Sequence, residues 1–293
     1  MKIGLCIEEH GRTWSELLSD VRAAAAAGFR SIWLGQRDSW DALTALAVLG
    51  AEVPGIRLGT AIVPTYPRHP LALAAQALTV QGVTGGRLDL GIGPSHRVIV
   101  EERFGCSYDK PARHVREYLT ALRPLLRGES VDHRGAALRA TGRVDVPAAP
   151  PGLLVSALGP VMLRIAGELA DGTIALWAGP RALDEHIVPT ISAVAERPRV
   201  VAVVSVCVTS EVDDARARFA EQLAAAGELP AYRAMLDRQG LAGPEDVAVI
   251  GDEVERSLRR YAEAGATELV AVPFGTAAEQ QRTREVLAAL TER

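Results

Sequence analysis

Five consecutive residues, Ser156-Ala157-Leu158-Gly159-Pro160, carry the most specific chemistry in this sequence. An apolar run, Leu153 to Ala157, ends in a Ser/Gly turn, and Pro160 opens a helical pattern. Such a turn leaves main-chain N–H groups unbonded at the positive end of a helix, an arrangement that binds phosphate. Ser156 adds a hydroxyl donor. The plainer reading is an ordinary strand-to-helix turn.

Three further segments hold groups that could do chemistry. In GGRLDLGIGPSH, Gly85 to His96, the glycines Gly91 and Gly93 permit close backbone approach or a tight turn. His96 follows that run, where an imidazole can act as acid, base or phosphate partner near neutral pH. An isolated histidine is more often structural. In RLGTAIVPTYPRHP, Arg57 to Pro70, three prolines make a stiff loop. Tyr66 and His69 either face a pocket there or only shape the loop, and shaping is the stronger reading for His69. In LGQRDSW, Leu34 to Trp40, Gln36 can donate and accept hydrogen bonds, and Trp40 offers a flat face to a ring system. The alternative is a helix start with Asp38 or Ser39 as N-cap and Trp40 as packing. No Ser-His-Asp order, HExxH, P-loop or GxGxxG turn is present.

The elements that must position these groups alternate regularly. Strands are expected at Lys2–Ile7, Arg30–Leu34, Ile56–Val63, Arg87–Ile92, Leu153–Ala157, Gly172–Leu176, Arg199–Val208 and Thr267–Val272. Helical patterns separate them: Trp14–Ala27, Asp41–Glu52, Pro70–Val83, Ala112–Leu126, Val161–Ala170, Arg181–Glu196, Val212–Ala226, Ala231–Gln239, Val254–Ala264 and a closing Ala277–Thr291. Eight strands, each followed by helix, predict a closed (β/α)8 TIM barrel with its active site at the C-terminal ends of the strands. The whole chain, 1–293, is expected to be one domain. The turn-rich stretch between the fourth and fifth strands, about 94–151, reads as an insertion that forms a substrate lid.

Composition narrows the partners. The chain has 293 residues and a net charge of -4, with no basic cluster, so nucleic acid is not an expected ligand. Aromatics make up 4% of it, so the interior must be built from Ala, Val, Leu and Ile. Cys6, Cys106 and Cys207 lack CxxC spacing and read as small buried hydrophobes, giving neither a disulfide framework nor a metal site. The first strand follows Met1 at once, leaving no room for a signal peptide, and no apolar run is long enough to span a membrane. A cytoplasmic protein is expected.

The segments IRLGTAIVPTYPRHPLALAAQALTVQGVTGGRLDLGIGPSHRVIVEERFG (56–105) and LLVSALGPVMLRIAGELADGTIALW (153–177) resemble the luciferase-like flavin oxidoreductases, especially their F420-dependent branch. GFRSIWLGQ and AGATELVAVPFG (264–275) extend the likeness over most of the chain, and the Ala- and Arg-rich composition suits an actinobacterial subgroup. The resemblance implies a deazaflavin at the barrel mouth, with a small organic substrate. It implies a bulge in the third strand with a non-proline cis peptide at Ala61-Ile62 behind the ring, and counts Thr60, Ala61 and Ile62 among the cofactor-binding residues. It assigns the cofactor phosphate to Ala157, Leu158, Gly159 and Pro160 beside Ser156, and places Pro94, Ser95 and His96 at the cofactor's flank. Trp40 keeps an aromatic ring contact.

Related F420-dependent sugar-phosphate dehydrogenases carry a His after strand 2 and a Glu after strand 4, where this chain has Gln36 and His96. A Gln cannot act as a general base, so that scheme of sugar-phosphate oxidation is not implied. His96 becomes the expected proton donor or phosphate partner, and Gln36 a hydrogen-bond partner of substrate or ring edge. A homodimer is a family-level expectation. Two alternatives share the fold: an FMN-dependent monooxygenase, and a deazaflavin-binding protein without turnover.

Overall fold

The computed structural model describes residues 2–291, so Met1, Glu292 and Arg293, included in the single-domain expectation, lie outside the described residues. The first half comprises β1 (Ile3–Ile7), α1 (Trp14–Ala26), β2 (Ser31–Leu34), α2 (Ala42–Glu52), β3 (Arg57–Thr60), β4 (Val63–Pro64), α3 (Pro70–Val83) and β5 (Leu88–Gly93). After α4 (Pro111–Leu126), a hairpin of β6 (Val131–Arg134) and β7 (Arg139–Gly142) precedes β8 (Gly152–Ser156). The second half comprises α5 (Pro160–Leu169), β9 (Gly172–Leu176), α6 (Pro180–Ala182), α7 (Val188–Ser192), β10 (Arg199–Cys207), α8 (Val212–Gly227), α9 (Pro230–Gln239), β11 (Val249–Ile250), α10 (Val254–Glu263), β12 (Glu268–Pro273) and α11 (Ala277–Thr291).

Parallel pairing runs β1-β2-β3-β5-β8-β9-β10-β12 and returns to β1, closing a TIM barrel. The strands read as near-continuous apolar runs because one face meets helices and the other fills the barrel. That filling is Trp33, Leu154, Ile174, Val201 and Val270. The Trp33 ring occupies space that side chains would otherwise need: a Cβ on Gly59 would sit 2.2 Å from it, and one on Gly4 2.9 Å from its Nε1. At the strand starts, Asp89 is fully buried and binds Arg199 (2.6 Å) and Arg57 (2.8 Å), while Arg199 also reaches Glu268 (2.9 Å).

The third barrel strand, expected over Ile56–Val63 with a bulge at Ala61-Ile62, is interrupted there. It ends at Thr60, the Ala61-Ile62 peptide is cis, and pairing resumes as β4 against β5. The sequence makes room for this bulge. The Thr60 hydroxyl donates to Gly91 O (2.7 Å) and accepts from Gly91 N (2.8 Å), and a Cβ on Gly91 would lie 2.0 Å from Thr60 O.

The stretch expected as an insertion contains the barrel's own helix α4, packed between α3 and α5. The added parts are residues 94–110 and the β6–β7 hairpin. Glu117 on α4 accepts from Ala137 N (2.7 Å) and Leu138 N (3.1 Å), holding the hairpin tip. The expected helix Arg181–Glu196 is instead α6 and α7 joined by a wide turn, Leu183–Ile187. Pro189 has no N–H to give to the preceding turn, which accounts for the widening. Asp41, not Asp38 or Ser39, caps α2, accepting from Thr44 N (2.9 Å).

Candidate active site

The floor of the barrel mouth is set by half-buried Cys6, Ala61, Ile62 and Val203, which cover the Trp33–Ile174 filling. Burial pushes the Cys6 thiol pKa up to about 12, with Glu9 adding to the rise, so it is a neutral packing group. Beside this floor the turn after β8 opens α5. Gly159 is its N-cap, with φ -86° and no side-chain cap bond, and a Cβ there would meet nothing within 4 Å. Pro160 has no N–H to satisfy, and no capping side chain takes up the first-turn N–H groups that follow it. The turn is braced from behind: His186 Nε2 donates to Leu158 O (2.8 Å), and Ala157 N donates to Ile174 O (3.4 Å). Ser156 ends β8 next to Gly93, whose missing side chain makes room for Ile62 and Ser156: a Cβ there would lie 2.6 Å from Ile62 Cδ1 and 3.1 Å from Ser156 Cβ.

Two non-glycine residues just beyond strand ends lie in the left-handed region, Ser95 at φ 61° and Trp177 at φ 56°. Such backbone persists where surrounding contacts enforce it. Here the enforcing contacts are visible. Tyr108 Oη donates to Ser95 O (2.7 Å). Gln239 donates from Nε2 to Trp177 O (2.9 Å) and accepts at Oε1 from Gly179 N (2.7 Å). Tyr232 on α9 then bridges the two strand ends, with its ring 4.9 Å from His96 and 4.7 Å from Trp177. Burial lowers the His96 pKa below the usual imidazole value, so the ring is neutral at pH 7. Burial pushes the Tyr232 hydroxyl up to about 12, so it keeps its proton.

Glu9, at the end of β1, is 2% exposed and sits beside Gly35. Arg37 binds it through Nε (2.9 Å) and Nη2 (3.1 Å) and also pairs with Glu8. This ion pair fastens the loop after β2 to the mouth. A second hollow, about 560 Å3, lies between the loop after β4, the start of α4 and the hairpin tip.

The profile of one family, luciferase-like monooxygenase, matches residues 1–291. The chain belongs to the luciferase-like monooxygenase family. Among curated relatives, a Mycobacterium tuberculosis protein provisionally named a coenzyme F420-dependent oxidoreductase is 31% identical over 202 residues. That match covers 62% of this chain and 57% of the relative's length, less than two thirds of it. A 5,10-methylenetetrahydromethanopterin reductase of Methanolobus tindarius is 28% identical over 244 residues, covering 80% of this chain and 74% of that one. Among solved structures, an F420-dependent secondary alcohol dehydrogenase in complex with an F420-acetone adduct superposes with a TM-score of 0.82. It covers 100% of this chain and 99% of the other at 17% identity, a likeness of fold.

Within this luciferase-like chain the residues singled out from the sequence have different fates. Ser156 to Pro160, Ala61, Ile62, Pro94, Ser95 and His96 all stand at the C-terminal ends of barrel strands. Thr60, expected beside the cofactor, is fully buried, and its hydroxyl is engaged by Gly91 in both directions. Gln36 braces the start of α2, accepting from Ala42 N (2.8 Å) and from Arg68 (3.4 Å). Trp40 is 38% exposed, lies 5.8 Å from Trp14, and donates to Arg12 O (3.0 Å). His69 shapes its loop as the N-cap of α3, with its other nitrogen 2.8 Å from Arg139 O. Sequence reasoning missed Glu9, His186, Tyr232 and Gln239 as individuals. For Glu9 a signal existed, an acidic pair directly after the first strand. Tyr232 and Gln239 lie on α9 and His186 in the wide turn between α6 and α7, where no local pattern marks which side chain reaches a distant strand end.

Proposed function

We propose that this chain is a coenzyme F420-dependent oxidoreductase that moves a hydride between the deazaflavin and a small organic substrate. The observation that carries the reading is the uncapped start of α5, braced by His186 and opening beside the Ala61–Ile62 floor. Its donors are main-chain N–H groups and the Ser156 hydroxyl, with no carboxylate in the turn, a set that suits an anionic tail. Ser156, Ala157, Leu158, Gly159 and Pro160 would hold the phosphate. Ala61 and Ile62, with Trp40 at the rim, would support the ring, and Pro94 and Ser95 would flank it. When bound, the deazaflavin supplies two-electron hydride chemistry. The chain's own task is to orient the partners, exclude water and handle one proton. His96 is the proton carrier: a neutral imidazole accepts a proton from a substrate hydroxyl in the oxidising direction and returns it in the reverse. Gln36, already committed to α2 and Arg68, positions the loop that carries Trp40.

The names of the Mycobacterium tuberculosis relative and of the F420-bound structure support F420, while the family's own name favours oxygen chemistry, with FMN as its cofactor, as the second reading. Equilibrium titration with each cofactor separates them. F420 is expected to bind and FMN to bind far more weakly. Tight FMN binding without F420 affinity would replace the first reading by the second. A substrate screen following deazaflavin absorbance then tests turnover against a binding-only protein. In this reading the chain is one domain working as a cytoplasmic homodimer, which light scattering checks. Among the described residues no helix is long and apolar enough to cross a membrane.

A further inference from the structure

The hollow beside the loop after β4 is unused by the phosphate and ring assignments. Its walls are apolar and aromatic, from Tyr66, Pro70, Tyr118 and the hairpin tip Ala136 to Leu138. Its charges are unbalanced. Lys110 and Arg113 line it and have no carboxylate partner among the described residues. The third cation, Arg68, is already held by Asp41. The one acid in the lining, Asp109, accepts from Ser107 Oγ (2.6 Å).

His114 adds no charge. Burial takes its pKa down to about 4, and its ring stacks on Tyr66 at 3.8 Å and 9° while its Nε2 lies 3.0 Å from Thr65 Oγ1. The Tyr66 hydroxyl has no protein partner among the described residues, and burial raises its pKa to about 12, so it remains a donor. Two free cations and a phenolic donor above an apolar wall recognise a carboxylate attached to an apolar body. Thr65, in the lining, directly follows β4, the strand that begins after Ile62. Tyr66 also packs on Tyr108 at 5.5 Å, and the Tyr108 hydroxyl holds Ser95 O just beyond β5, so a wall of the hollow is one ring away from the barrel mouth.

We propose that this hollow is the substrate pocket, and that it takes a small organic anion whose carboxylate is held by Lys110 and Arg113 against the Tyr66–Leu138 walls. Its role as a substrate site rests on the deazaflavin reading above; the anion binding itself does not. Calorimetric titration of the full chain with 2-naphthoate and its neutral analogue 2-naphthamide tests it, with and without saturating F420. The expected result is at least a tenfold preference for the carboxylate. Lys110→Ala with Arg113→Ala should abolish that preference without changing the melting temperature, because both side chains are exposed. Arg113→Lys should keep most of it. Equal binding of acid and amide, or an unchanged preference in the double variant, would overturn the proposal. Competition between naphthoate and F420 would also overturn it, because the anion held there would then be the cofactor's tail. Carboxylate preference in a chain that fails to bind F420 would uphold the pocket while removing the cofactor reading.

Discussion

At Gly159 the needs of the helix and of a ligand diverge. Its φ of -86° is open to any residue, and a Cβ there meets nothing within 4 Å. Gly159→Ala should therefore leave F420 affinity unchanged and cost only the preference of an N-cap for glycine over alanine, about 0.5–1 kcal/mol. Gly159→Asp supplies the missing N-cap acceptor and a negative charge at a positive helix end, a gain of about 0.5–1 kcal/mol in stability. The same charge opposes a phosphate, so F420 affinity should fall at least tenfold while the melting temperature rises. Melts and titrations on one preparation check both halves. His114 carries a pH signature. Its folded pKa, depressed by burial to about 4, lies below the unfolded value near 6.5. Between these values the unfolded chain binds the extra proton, so stability is full above pH 6.5 and declines as pH falls toward 4. Urea unfolding at pH 7 and 4.5 should show wild type losing on the order of 2 kcal/mol more than His114→Gln.

Elements are coupled at the mouth by side chains that bond to backbone. Gln239 is the clearest case, since its amide bonds both Trp177 O and Gly179 N in the turn after β9. Gln239→Leu keeps the volume but leaves Trp177 O and Gly179 N–H unpaired. The expected cost is about 1–2 kcal/mol by chemical denaturation. Release of Trp177 from its left-handed conformation should also loosen Tyr232 against His96. A tryptophan emission shifted to the red of wild type would report it; an unaltered denaturation midpoint would refute the clamp. The α2 start shows the same principle on a smaller scale, with Asp41 and Gln36 both accepting from its first turn.

Across the whole molecule the two ends of the barrel do different work. The buried cluster at the strand starts, Asp89 with Arg199 and Arg57, ties β3, β5 and β10 together far from the mouth. Asp89→Ala leaves two guanidinium groups without their buried partner and should cost about 3 kcal/mol, the lower end for such a loss because both arginines are partly exposed. Cofactor affinity, measured on the folded fraction, should not change, because ligand chemistry in this fold belongs to the C-terminal strand ends. A large loss of F420 affinity in that variant would contradict this division.

Local chemistry in the chain was enough to reveal the barrel's strands and the helix-opening Ser156–Pro160 turn, because apolar runs, helix-stop glycines and Pro160 act within a few residues of themselves. The break at Ala61-Ile62 is invisible to such patterns, since Ile62 and Val63 continue the apolar run; it was expected from family likeness alone. The hairpin Val131–Gly142 was legible only as turn-rich or short-strand sequence, because it is polar and short. What the closed barrel alone decided is which side chains meet. It buried Thr60 against Gly91, gave Gln36 to α2, set Tyr232 between His96 and Trp177, and left Lys110 and Arg113 facing a common hollow. Those encounters depend on strand closure and helix packing between segments distant in the chain, and such contacts leave no trace in local composition or spacing.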